Sequence, residues 1–217
     1  MTKPFSLSNL HRAAQALLLG AILALGALPA AQAEHAVDPK AAPDVFLDAV
    51  ANNMLEAVKA DPLALKGDVS HITVLVRKYA LPYVDMDKTT RLAAGRYWRQ
   101  ASAQQQTDLV QAFTGTLIRT YSGAFTRVTP ATTITLLPFR GDTKAGDAVV
   151  RTSVSQPNSS PIGVDYRLEQ TDAGWKVYDL NVEGIWLIQN YRNQFAQEIG
   201  RSGIDGLIKA LNAKSGQ

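Results

Sequence analysis

The chain has 217 residues, no cysteine, and a formal net charge of +3 from 22 basic and 19 acidic side chains. Without cysteine there are no disulfide staples, so the fold must stand on an apolar core, which a chain of this length can build. No clustered basic face is evident, which argues against a nucleic-acid partner.

The N-terminus reads as an export signal. Lys3, His11 and Arg12 make a basic start, Ala13 to Leu28 is apolar apart from Gln15 and two glycines, and Pro29 and Ala31-Gln32-Ala33 follow. The last three residues fit the small-x-small cleavage rule. The run is shorter than the about 20 apolar residues of a membrane span, and the cleavage region has no cysteine to carry a lipid. The expected organisation is a cleaved signal peptide over 1–33, a flexible leader over 34–42 and a single domain over 43–217. Cleavage removes Lys3 and Arg12 and no acid, so the mature chain is closer to neutral.

The mature chain opens on helices. Pro43 suits a helix start, and Phe46, Val50, Met54, Ala57 and Val58 recur at three- and four-residue spacing. Asp61-Pro62 should end that helix. Asp68 can cap a second, with Ile72, Leu75, Val76 and Tyr79 on one face and Pro82 as its stop. A short helix is expected from Asp87 to about Gly95. Ser102-Ala103-Gln104-Gln105 matches a capping box. Behind it Leu109, Phe113, Leu117, Tyr121 and Phe125 recur every four residues, a long helix ending near Arg127.

The period then changes to two. Ile134 and Leu136, then Val150, Thr152 and Val154, then Ile162, Val164, Tyr166 and Leu168 alternate with polar neighbours. On a fourth strand Trp175 and Val177 oppose Tyr178, Leu180 and Val182, so both of its faces are expected to be partly apolar. Arg140-Gly141-Asp142, 157–161 and Thr171-Asp172-Ala173-Gly174 supply turns. Short connections imply antiparallel neighbours. The strand ends at Gly184 and helices close the chain, one with Trp186, Ile188, Tyr191, Phe195 and Ile199, the next beyond Gly203 with Ile204, Leu207, Ile208 and Leu211. The expected class is α+β, with a twisted four-stranded antiparallel sheet wrapped by about six to seven helices.

Catalytic signatures are lacking. After cleavage only His35 and His71 remain, and no Gly-x-Ser-x-Gly elbow, cysteine nucleophile, zinc spacing or phosphate loop is present. Asp85 and Asp87 precede a helix, where capping explains them. Two features suit binding instead: the apolar surplus between helices and sheet, and Gly95-Arg96-Tyr97-Trp98-Arg99-Gln100, a segment between helices whose arginines suit a lipid phosphate or a docking partner.

At these residues the chain resembles the MlaC family of periplasmic phospholipid-binding proteins, also called the toluene-tolerance family. The resemblance lies in Leu92-Ala93-Ala94-Gly95-Arg96-Tyr97-Trp98-Arg99-Gln100-Ala101-Ser102, in Val164 to Leu168, in Gly174 to Asp179, and in Glu183-Gly184 through Asn190-Tyr191-Arg192 to Gly203-Ile204-Asp205-Gly206-Leu207. A departure is Trp186, where a small residue such as Ser is common; pointing inward, it would narrow a cavity. The resemblance implies an apolar pocket between sheet and helices, a phospholipid as cargo with its acyl chains inside and its headgroup outside, and no cofactor. It further implies a periplasmic carrier, not an enzyme, that maintains outer-membrane lipid asymmetry. Its partners would be the outer-membrane lipoprotein MlaA with a porin and an inner-membrane MCE-domain ABC transporter complex; a monomer is expected.

From the facing of the pattern, the lipid-binding candidates are Leu117, Tyr121 and Phe125 on the long helix, Leu136, Val150, Val154, Tyr166, Leu168 and Val177 on the sheet, and Leu187 and Tyr191 at one end. Core packing alone also explains each of them. Arg96 and Arg99 are candidates for the headgroup or a partner. Two alternatives stay open: a periplasmic enzyme using Asp165 or Tyr166, and a non-catalytic adaptor with a solid core.

Overall fold

The computed structural model describes residues 35–142 and 145–213. The expected signal peptide lies outside the described residues. From His35 onward the chain forms one compact unit.

Among the described residues four α-helices precede the sheet: α1 (Pro43–Ala60), α2 (Val69–Tyr79), α3 (Met86–Ala94) and α4 (Ala103–Phe125). Their starts are set by local chemistry. Pro43 occupies the first turn of α1, where its missing N–H costs nothing. Asp68 caps α2 by accepting from the Ser70 and His71 N–H groups, and Asp85 caps α3 by accepting from Lys88 at 2.7 Å. Ser102 and Gln105 form the expected capping box reciprocally at 3.2 and 3.0 Å. The segment between α3 and α4 is a 3-10 helix, Gly95–Gln100.

The sheet has the order β1 (Thr133–Leu136), β2 (Asp147–Ser155), β3 (Ile162–Thr171), β4 (Gly174–Val182), β5 (Ile185–Trp186), antiparallel throughout. The α+β expectation holds, with one strand more than the four expected. Glu183 and Gly184, at φ 50 and 89, make a two-residue turn with both central residues left-handed, the geometry that matches strand twist. It returns the chain for two residues before α5 (Leu187–Ala213) begins. Gly203, at φ 72 and ψ −178, breaks α5 into two arms, as the sequence pattern requires.

The fourth strand is not apolar on both faces. Arg167 pairs with Asp179 and Leu168 with Val177, which leaves Tyr178 as an extra residue, a β-bulge. The bulge shifts the alternation by one. Trp175, Val177, Leu180 and Val182 therefore share one face, and the apolar surplus expected on two faces is a single apolar face.

Two apolar cores result. One joins α3, α4 and α5 around Phe113, which meets Tyr191 and Phe195 edge-on at 4.8 and 4.9 Å. The other joins α1 to the sheet through Phe46, Leu47, Val50, Ala148, Val150, Leu168, Trp175 and Val177. Leu180 packs against both.

Residues 35–42, expected to be a flexible leader, are tied down. His35 exchanges two hydrogen bonds of 2.8 Å with the Asn53 side chain on α1, and Pro39 accepts from the Trp175 N–H at 2.7 Å. Val37 packs against the sheet core.

Candidate functional site

Pairing register puts Ile134 and Leu136 of β1 beside Val154 and Thr152 of β2, and these beside Ile162 and Val164 of β3. Val150 and Ala148 continue against Tyr166 and Leu168, and β4 adds Val177, Leu180 and Val182. All lie on one face, because side chains two residues apart point the same way. The face is unevenly covered. Ala148, Val150, Leu168 and Val177 are buried under α1, whereas Ile134, Val154, Ile162 and Val164 are only half-buried and Val182 is 41% exposed. The aliphatic surface thus outruns the helix that covers it. The long helix α4 packs against α2, α3 and α5.

The polar groups on this face are few and partnered. Thr152 is buried and donates to the Val164 carbonyl at 3.1 Å. Tyr166 shares a hydrogen bond with Thr152; burial raises its phenol pKa, and that bond offsets part of the rise. On the helix side, burial raises the Tyr191 phenol, which is hydrogen-bonded to Thr120 and to Tyr121.

The expected lipid-binding residues divide into four groups. Val150, Leu168 and Val177 sit in the closed core under α1, with Leu136 and Tyr166 packed against it. Val154 lies further along the same face, half-buried. Leu187 and Tyr191 are buried in the helical core with Leu117 beside them. Tyr121 is 42% exposed and Phe125 half-buried at the end of α4. Tyr191 also lines a cavity of ≈ 440 Å³ between the two arms of α5, with Phe195, Leu207, Glu198 and Arg201. Arg96 and Arg99 are exposed on the 3-10 helix, Arg96 lying over Tyr97 and donating to its hydroxyl at 3.0 Å.

The sequence pattern missed Leu180, which bridges the two cores, and Ile134, Ile162, Val164 and Val182 on the half-covered part of the face. Their period-two spacing was a usable signal; the bulge at Tyr178 hid the β4 part of it.

The opposite face is polar. Asp165 lies there, paired across strands with Arg151 and Asn181, on the other side of the sheet from Tyr166. Asp179 has a fully buried side chain. It accepts from Arg167 and from the Leu180 and Ile188 N–H groups at 3.0 Å each, so it caps α5 from a neighbouring strand. Burial pushes its pKa up, against those bonds and the Arg167 charge, which lower it. Trp186 also faces this side, not the apolar one, so it does not narrow the space over the apolar face. Among the described residues no group of three or more His, Asp or Glu side chains is placed to hold a metal ion, and no helix is long and apolar enough to cross a membrane.

The MlaC protein family model matches residues 48–213. The chain belongs to the MlaC family. Within it, the chain is 22% identical over 181 residues to the intermembrane phospholipid transport system binding protein MlaC of Haemophilus influenzae, covering 81% of this chain and 83% of that protein. It is 28% identical over 203 residues to the toluene tolerance protein ttg2D of Pseudomonas putida, covering 91% and 89%. A solved structure of a phospholipid-binding protein from Ralstonia solanacearum, in complex with a phospholipid, superposes with a TM-score of 0.75 at 37% identity. The superposition covers 79% of this MlaC-family chain and 95% of that one.

Proposed function

We propose that this MlaC-family chain is a periplasmic phospholipid carrier. After signal cleavage at Ala33 it would take a phospholipid by its acyl chains between the half-covered part of the sheet face and the helices, leaving the headgroup outside. It would shuttle that lipid between the outer and inner membranes and so maintain outer-membrane lipid asymmetry. The partners proposed are the outer-membrane lipoprotein MlaA with its porin and an inner-membrane MCE-domain ABC transporter complex. The observation that carries the proposal is the aliphatic face from Ile134 to Val182, which continues beyond the cover of α1. A relative of the same fold, solved with a phospholipid bound, supports it.

Burying roughly 30 acyl methylenes from water is worth on the order of 20 kcal/mol, at about 0.8 kcal/mol each. Those chains are already dry in a bilayer, so moving a lipid from bilayer to protein is close to neutral, while release into water is not. Release therefore requires a docked acceptor. The chain carries no ATP-binding motif, so net transport draws its energy from a partner.

The test is native followed by denaturing mass spectrometry of protein purified from a periplasm without detergent. Co-purified phospholipid is expected, and is expected to fall sharply in Val154→Trp, which fills the half-covered part of the face. Val150→Ala, in the closed core, should retain lipid while losing about 2 kcal/mol of stability. A folded protein that is empty, and stays empty when offered vesicles, would refute the carrier.

A further inference from the structure

One end of the sheet differs in composition from the other. It is built from the start of β1, the β2–β3 connection, and the β4–β5 turn, since Thr133 pairs with Ser155, Val154 with Ile162 and Val182 with Ile185. Residues 128–135, 153–164 and 181–187 make up these segments, and Glu183 is the only charged side chain among them. The opposite end carries Arg140, Asp142, Asp147 and Asp172. At the end that carries only Glu183, Val182 and Ile185 stand opposite each other across the hairpin, 41% and 65% exposed. A directly paired couple shares a face, and Val182 is paired with Val164 on the apolar face. The apolar face therefore runs without a break from the closed core, through Val164, to two bare aliphatic side chains in solvent.

We propose that this end is the portal through which acyl chains pass, and that Val182 and Ile185 seat it on a zwitterionic phospholipid surface. Two observations select that occupant. The segments lack the lysines and arginines that an anionic surface would call for. The aliphatic path is also continuous with the proposed lipid seat, so a chain moving along it never has to cross bare water. A chain crossing water instead would wet each methylene in turn, which is unfavourable. The proposal rests on the carrier function and adds where the cargo enters.

The absence of cysteine makes a clean test. Ile185→Cys, and Asp172→Cys in the β3–β4 turn at the charged end, are each labelled with an environment-sensitive fluorophore and mixed with phosphatidylcholine vesicles. The label at 185 should brighten several-fold and be quenched by spin-labelled lipid, while the label at 172 stays silent. In parallel, Ile185→Glu should slow lipid transfer between vesicles without changing the lipid that co-purifies or the circular dichroism. If lipid is taken up from vesicles while the label at 185 stays silent, the portal is overturned and the carrier stands. If the label at 185 answers only to a solubilised membrane protein and not to vesicles, the bilayer occupant is overturned. If the protein neither holds nor takes up lipid and the label is silent, portal and carrier fall together.

Discussion

Arg167 lies over the Trp186 ring, its guanidinium carbon 3.7 Å from the ring centroid, and donates to Asp179 at 3.0 Å. The stack ties β3 to the short β5 on the polar side of the sheet. Trp186→Ser should therefore cost about 1–2 kcal/mol through the lost cation–π contact and ring burial. The amount of bound lipid should not change, because the ring lies across the sheet from the apolar face. Urea unfolding and lipid quantification on the same sample check both halves; a change in lipid load would place the ring on the wrong side.

Asp179 holds three partners with one buried carboxylate. Asp179→Ala removes the cap on Ile188 and leaves buried N–H groups unpaired, at about 2–4 kcal/mol. The start of α5 should fray first, so amide exchange at 188–190 should quicken more than in α4. Uniform acceleration across all helices would argue that Asp179 acts only through global stability.

Gly174 has φ +107, and a Cβ there would collide with the Pro39 backbone. Gly174→Ala combines a strained backbone with a lost approach, an expected cost of about 2–4 kcal/mol. It should also release residues 35–42, read out as faster proteolysis ahead of α1. An unchanged melting temperature would show that this segment is not fixed against the turn.

His71 Nδ1 lies 2.9 Å from Asp61 Oδ2. The hydrogen bond that His71 donates to the Asp61 carboxylate raises the His71 pKa above its ordinary 6.5. Asp61 is lowered below its ordinary 3.8, first by the Ala64 N–H and next by His71. A raised histidine stabilises fully below pH 6.5 and loses that contribution as pH rises through its folded value. A lowered carboxylate stabilises above 3.8 and loses it as pH falls through its folded value. The difference in melting temperature between the native chain and His71→Ala should therefore be largest from about pH 4 to 6.5 and shrink above neutrality. A difference flat across that range would assign His71 a packing role alone.

Much of the fold was legible in the sequence because its signals act within one turn of chain. The capping bonds of Asp68, Asp85 and the Ser102–Gln105 box close within their own helix ends, and the period-two runs of β2 and β3 record a face that the strands themselves define. Leu117, Val150, Leu168 and Tyr191 were recognised as inward-facing for the same reason. Which core each joins was not readable, since that depends on the helix lying opposite.

What the sequence by itself determined is therefore the succession of helices, strands and helices, their caps and the family motifs. The tertiary structure decided the rest. The bulge at Tyr178 gathers Trp175, Val177, Leu180 and Val182 on one face, and only pairing with β3 reveals it. The turn at Glu183-Gly184 adds β5 and sends Trp186 to Arg167. The leader's attachment joins Pro39 to Trp175 across the length of the chain. The bulge, the Trp186–Arg167 contact and the leader's attachment are set by contacts between different segments of the chain, whose energies no local pattern encodes.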